Sequence, residues 1–552
     1  MQGSTLQRPW LAIGLSLIQF AVLVVLALLV GTRGWDDGAI TLAYARTFAT
    51  TGRIALTPLS EQVEGFSTPA WFLLNAGIAW FRPSFEQAIF ASQVLTAACF
   101  AAATFMLLLL ARNLGIRPLY AWAAALTWAF LGTTLQETAN GMEMGLLALG
   151  GLAIVYFVYF DWRPLAAALC AVVFLACRFE AMVYYAFLLF PLVLERRYRH
   201  FVLLALFGIA VVAGLEVLRL AIFGDILPNT VYAKMHPPYG AAGLKAWAAR
   251  FFGGIELFRV APLVTLAIAV LVAWKWSALV KRARTDAVWL RDAAILTSPV
   301  IGVALFNLMI GWNWGYLGRM ETLGIAFLVL LLAFLLDTLV ERVSRAGRAV
   351  VLAGVAVTVL ISWGTSAPTA LAEARATLTG AERRFDVTPQ TYRRTAMAVD
   401  TVRSQAGLPA ITFLTADVGG GALNNQTIRF VDIGLLASRT LAREGYQALP
   451  RVLAAERPGV IEVHQGWASL SRIYDLPQFR SGYVPAMVAG TRLFIRADIA
   501  ARLQDAHKAT FCPATQPRCR SLALTGHRST DFVYPADDEA FLRRGGFLLV
   551  DS

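Results

Sequence analysis

The 552-residue sequence predicts a polytopic α-helical membrane protein that ends in a soluble α/β domain, and three observations predict it. Hydrophobic residues make up 58% of the chain and charged residues 15%, against about one quarter charged in an ordinary soluble domain. Apolar runs of about the 20 residues needed to cross a bilayer recur through the first two thirds of the chain. From Pro368 onward the character changes to regular charge, turn residues and short β-branched stretches.

The first run, 10–31, is too long for a signal-peptide core and has no small-residue cleavage pattern after it, so it reads as a retained span. Further runs at 88–112, 118–136, 142–160, 163–178, 180–194, 200–223, 257–276, 291–311, 319–340 and 348–366 bring the expectation to about 11 spans. The shorter segment 67–81 reads as an interfacial helix within an outer loop at 32–87. Loops at 112–117, 161–163, 195–200, 275–284 and 341–348 are basic, which assigns them to the cytoplasm. The alternate loops, and with an odd number of spans the whole of 368–552, then face the periplasm or exterior. The net charge of +13 is accounted for by those basic loops, so no nucleic-acid partner is expected.

In the C-terminal part, ITFLTADVGGG from Ile411, GVIEVHQG from Gly459 and RLFIRAD from Arg492 read as strands. Some 180 residues can bury a core of their own. The triple glycine at 419–421 lacks the spacing and the Lys-Ser/Thr of a nucleotide loop. Three of the five cysteines fall in apolar runs, whereas Cys512 and Cys519 lie in a polar loop and could bond in an oxidising compartment.

The outer loops hold most of the chemistry. Asp36 and Asp37, Glu64, Glu143, Arg178, Glu180, Asn229, Tyr232, Lys234, His236, Trp312 and Arg319 all belong to them. Ionisable side chains at the ends of membrane helices are costly unless paired or facing a wet cavity, so an outward-opening polar cavity is expected. Carboxylates there suit a general base or hydroxyl recognition; Arg178, Lys234 and Arg319 suit an anion, a guanidinium fork matching phosphate best. Simpler roles stay open: Arg178 with Glu180 as a mutual ion pair, the Asp doublet as an N-cap of the following helix, and Asp417, Asp432 and His464 as turn residues. The carboxylates could hold a divalent cation, but no motif requires a cofactor.

The order of motifs carries a resemblance. GWDDGAITLAYAR at 34–46, the segment Val63 to Pro69, NGMEMGL at 140–146, CRFEA at 177–181, DILPNTVYAK at 225–234 and TADVGGGALNNQTIRFVDIGLL at 415–436 together resemble the terminal arabinofuranosyltransferases of actinobacterial cell-wall synthesis. These belong to the GT-C superfamily of polyprenyl-phosphate-sugar glycosyltransferases. The resemblance implies a transmembrane GT-C catalytic module at 1–367, an outer-face domain at 368–552, and residence in the bacterial inner membrane. It implies an enzyme that moves arabinofuranose from a polyprenyl-phosphate donor to a hydroxyl of a glycan, lipid or protein acceptor. Asp36 and Asp37 would be catalytic; Arg178, Lys234 and Arg319 would bind the donor phosphate; Glu64, Glu143, Glu180, Asn229, Tyr232, His236 and Trp312 would bind sugar or acceptor. The alternatives are transfer of another sugar, such as mannose or an aminosugar, and a lipid-linked-sugar flippase. A flippase calls for charges near the bilayer midplane rather than clustered on one side.

Overall fold

The computed structural model describes residues 9–236, 262–309, 319–340, 344–381, 387–525 and 545–550. Its helices follow the apolar runs. In order they are α1 (Pro9–Val30), α2 (Asp37–Thr51), α3 (Pro69–Ala79), α4 (Phe85–Asn113), α5 (Pro118–Ala129), α6 (Gly132–Asn140), α7 (Met144–Val155), α8 (Pro164–Cys177), α9 (Ala181–Leu189) and α10 (Pro191–Leu194). There follow α11 (Tyr198–Phe223), α12 (Asn229–Ala233), α13 (Pro262–Trp274), α14 (Trp276–Thr285), α15 (Ala287–Met309), α16 (Thr322–Leu339), α17 (Arg345–Ser366), α18 (Pro368–Thr379), α19 (Pro389–Gln405) and α20 (Gly419–Asn424).

Among the described residues six helices are long and apolar enough to cross a membrane: α1, α4, α11, α15, α16 and α17. Other expected spans are shorter or divided. The 118–136 run breaks at Leu131 into α5 and α6, where the Gly132 N–H donates to Ser362 Oγ of α17. The 180–194 run is cut where Pro191 has no N–H to continue α9. The run 257–276 begins outside the described residues. On α11, Leu203, Leu206 and Ile209 are exposed, as a lipid-facing helix requires. Inside the bundle, Phe100, Trp128, Phe174 and Phe327 form part of one continuous buried core. The segment expected at the interface is α3, which leads into exposed Trp80 and Phe81.

The C-terminal part folds around a seven-stranded sheet of order β2-β1-β3-β5-β4-β7-β6. The strands are β1 (Ile411–Thr415), β2 (Ile428–Asp432), β3 (Val460–Ile461), β4 (Tyr483–Val488), β5 (Thr491–Arg496), β6 (Ala509–Pro513) and β7 (Gly546–Val550). β2, β1 and β3 run parallel, so their carboxyl ends share one edge. The three strands expected from sequence are present as β1, β3 and β5. Ala489 and Gly490, both with positive φ, make the tight β4–β5 turn, as a two-residue hairpin favours. Cys512 and Cys519 are disulfide-bonded.

Alternate residues of the strands feed two cores. On one face Leu414, Val431 and Ile461 pack with Leu441, Leu449 and Phe479. On the other, Phe413 and Phe430 pack with Val399 and Val402 of α19 and with Leu42 and Tyr44 of α2. The segment between α1 and α4 therefore shares a hydrophobic core with the sheet. This fixes the sheet over the ends of the membrane helices.

Candidate active site

The GWDDG turn is held by close approach. A Cβ at Gly34 would stand 2.3 Å from the Ala139 carbonyl oxygen, and one at Gly38 2.0 Å from that of Asn140, so only glycine lets the turn lie on the end of α6. The Trp35 N–H donates to Asn140 Oδ1 at 2.9 Å. The two aspartates between these glycines then point to different partners.

Asp36 is buried, and its carboxylate accepts the Gly419 N–H at 2.8 Å and the Gly420 N–H at 2.7 Å. It stands at the N-cap of α2 but makes no side-chain cap there; it caps α20 instead. Burial raises its carboxyl well above the usual range, Asp417 adds to this, and the two N–H donors oppose it. The triple glycine is thus a docking surface: a Cβ at Gly420 would meet the Pro389 carbonyl at 2.1 Å.

Asp37 lines a cavity of about 510 Å³ between the helix ends and the sheet. Its side chain is 42% exposed and accepts from Arg319 Nη1 at 3.1 Å. Loss of water raises its carboxyl above the ordinary value against the pull of Arg319, which moves it toward the pKa of a useful base. Arg319 Nη2 also reaches Glu143 Oε1 at 3.3 Å. Glu143, wholly buried just before α7, takes Arg178 as well, and Arg178 pairs in turn with Glu180. A carboxylate at a helix N-terminus is favourably placed for the helix dipole. The outcome is a chain of alternating charges: Asp37, Arg319, Glu143, Arg178, Glu180.

Lys234, just past α12, lines the same cavity. Burial lowers its ammonium to about 8, and the nearby guanidinium of Arg178 works in the same direction. Asp37, Glu143, Arg178, Lys234 and Arg319 are thereby brought together around one space.

The remaining sequence candidates that fall among the described residues lie away from the cavity. Glu64 is buried against Arg219, which holds the loop to α11. The Asn229 amide donates to the carbonyls of Leu435, Leu436 and Ser438. The Tyr232 ring lies under Arg443, whose carbonyl oxygen contacts His236 Nε2 at 2.9 Å. These residues tie the 225–236 loop to the sheet instead of lining the cavity. Trp312 lies outside the described residues.

The wall facing the helices is made by residues for which local sequence suggests turn roles. Asp417 follows β1, Asp432 ends β2 and His464 follows β3, and all three line the cavity with Thr230 and Trp467. The legible signal was a polar residue at the end of each of three strands, because ligands of parallel sheets bind outside their carboxyl ends. Asp432 accepts the N–H groups of Gly434 at 2.7 Å and Ala437 at 2.8 Å, while burial pushes it up to about 7. His464 Nε2 lies 3.0 Å from Asp417 Oδ2, and its Nδ1 lies 3.4 Å from Glu462 Oε1. Burial disfavours its charged form, but the two carboxylates outweigh this and push it up to about 10.

Among the described residues no group of three or more His, Cys, Asp or Glu is arranged to hold a metal ion. Asp37 and Glu143 are paired with arginines, Asp417 with His464, and Asp432 with backbone N–H groups, so no metal-dependent step is derived.

No protein-family model matches the chain, and no curated protein matches it in sequence. Solved structures do. The structure of ArnT from Cupriavidus metallidurans bound to undecaprenyl phosphate has a TM-score of 0.52 at 13% identity, covering 88% of this chain and 98% of that one. The apo state of the same protein has a TM-score of 0.51 at 14% identity, covering 89% and 98%. At such identity the likeness concerns the path of the chain: this protein has the fold of ArnT.

Proposed function

We propose that the protein is a multi-pass membrane glycosyltransferase of GT-C type, which takes a sugar from a polyprenyl-phosphate donor at the outer face of the bacterial inner membrane. The observation that carries this reading is the single cavity in which Asp37 faces Arg178, Arg319 and Lys234. One base and several cations suit displacement of a phosphate by a hydroxyl. The ArnT fold adds support, since that protein is solved with undecaprenyl phosphate. The order of motifs supports arabinofuranose as the sugar, and the basic loops support the outward orientation of the cavity and of residues 368–552.

In the proposed reaction the acceptor oxygen attacks the anomeric carbon while the bond from that carbon to the phosphate oxygen breaks. The electron pair leaves with the lipid phosphate, whose charge Arg178, Lys234 and Arg319 stabilise. Asp37 takes the acceptor proton. Asp36, with both oxygens committed to backbone N–H groups, holds the sheet over the cavity.

The test is to offer purified protein in nanodiscs a polyprenyl-phospho-arabinofuranose and follow release of lipid phosphate. Wild type releases it, and Arg178→Gln raises KM for the donor at least tenfold. Absence of release with arabinofuranosyl, mannosyl and aminosugar donors alike would refute the enzyme reading.

A further inference from the structure

The segment from Trp274 to Asp286 joins two membrane helices, and the cavity makes no use of it. α15 ends on the cavity side: Asn307 donates to Glu321 Oε1 at 3.1 Å, two residues from Arg319. Its 23 residues rise about 33 Å, enough to cross the hydrocarbon layer. The start of α15, and α14 before it, therefore lie at the opposite face. The basic loop expected at 275–284 is mainly helical.

α14 is two-sided. Trp276, Leu279, Val280 and Ala283 recur at helical spacing along one stripe. Leu279 is buried and Ala283 packs on the bundle core. Lys281, Arg282 and Arg284 are exposed on the other side. Asp286 fixes the corner that follows: its Oδ1 accepts the Trp289 N–H at 2.9 Å, and the Trp289 indole donates to Thr338 Oγ1 of α16 at 3.1 Å.

Two independent observations point to a lipid surface. The corner wears an uncovered apolar skirt: Trp274 is 76% exposed and Trp276 62%, with Val288 and Leu290 exposed beside them. Tryptophans at the end of a membrane helix favour the headgroup level of a bilayer. The cations beside this skirt lack counter-charges. Arg282 has Asp286 Oδ2 at 3.6 Å, but among the described residues no carboxylate pairs with Lys275, Lys281 or Arg284. Lys275 lies instead over the Trp274 ring, 5.0 Å from its centre. A soluble acidic partner would match the cations and leave the indoles in water, whereas an anionic phospholipid matches both.

We propose that α14 and its flanking tryptophans form a binding site for anionic phospholipid in the leaflet opposite the cavity. Lys275, Lys281 and Arg284 hold the phosphate headgroups, and Trp274 and Trp276 lie at the acyl boundary. The site is separate from the cavity and from the chemistry proposed there.

In the test, full-length protein in detergent micelles is titrated with phosphatidylglycerol and, separately, with phosphatidylcholine, and bound lipid is counted by native mass spectrometry. Wild type binds phosphatidylglycerol about tenfold more tightly or better. The triple variant Lys275→Gln, Lys281→Gln, Arg284→Gln loses about tenfold or more in that affinity while its affinity for phosphatidylcholine stays within twofold. Arg345 and Arg348 are exposed at the same face, because α17 ends at Ser366 on the cavity; the double variant Arg345→Gln, Arg348→Gln keeps the wild-type affinity within twofold. Unfolding midpoints equal to wild type in lipid-free micelles show that both variants are folded. The proposal is overturned if wild type has no preference for phosphatidylglycerol, or if the double variant loses as much as the triple one. Unchanged affinity in the triple variant also overturns it and leaves the basic face to a soluble acidic partner.

Discussion

Replacing Asp36 and Asp37 with Asn, one at a time, separates two roles that adjacent identical side chains hide. In Asp36→Asn one carboxylate oxygen becomes an amide nitrogen that cannot accept, so either the Gly419 or the Gly420 N–H loses its partner in a buried setting. Leaving one buried donor unsatisfied costs about 1–3 kcal/mol, and weakening of the other charge-assisted bond brings the expected loss to about 3 kcal/mol. In Asp37→Asn the affected side chain is 42% exposed and paired with one arginine, so the stability change is within about 1 kcal/mol. Loss of a positioned base, however, lowers kcat about a hundredfold or more, which is about 2.7 kcal/mol in the barrier. The assay is thermal unfolding of each variant in nanodiscs beside initial transfer rates at saturating donor. Asp36→Asn unfolds at lower temperature and regains activity on cooling; Asp37→Asn unfolds like wild type and stays inactive at every temperature. An Asp36→Asn protein as stable as wild type but inactive, beside an active Asp37→Asn, would refute the assignment.

Three further outcomes follow from the same geometry. Lys234, lowered to about 8, is charged below that pH and neutral above it, so kcat/KM for the donor falls as pH rises through 8, and Lys234→Arg removes that limb. Glu143→Gln leaves Arg178 and Arg319 facing each other across a buried site with less anionic charge; it destabilises the protein by about 3 kcal/mol, read as a lower midpoint in thermal unfolding. Reducing the Cys512–Cys519 bond, which closes a loop with a sequence separation of 7, costs about 2.5 kcal/mol on the chain-entropy account. Because that bond is not part of the cavity wall, thermal unfolding shifts down while donor affinity is retained.

What was legible in the sequence was whatever local pattern fixes. Apolar runs marked the membrane helices, although Leu131 and Pro191 divide two of them where backbone chemistry overrides hydropathy. Short β-branched stretches before glycine marked β1 and β3. The Arg178–Glu180 pair was readable because its partners are two residues apart. Long-range partnerships were not: Glu143 joining Arg178 to Arg319 spans three separate helix ends. Local capping logic offers α2 as the simpler partner of the aspartate doublet, whereas Asp36 serves α20, 383 positions away from its first donor. The polarity of Asn229, Tyr232 and His236 joins the 225–236 loop to residues 435–443. The sheet wall is not legible from any one strand end, because it takes three parallel strands ending on one edge to bring Asp417, Asp432 and His464 together.

The Asp36–Gly419 contact also bears on when the protein becomes competent during its own synthesis. Asp37 and Arg319 belong to segments made earlier, but the strands that complete the cavity emerge only after the membrane helices among the described residues. A truncated or half-inserted copy would hold cations at the helix ends with no second wall to close the cavity. Biogenesis and assembly of the cavity are therefore linked through one buried carboxylate: the latch that secures the sheet can close only after the chain has been made as far as Gly420.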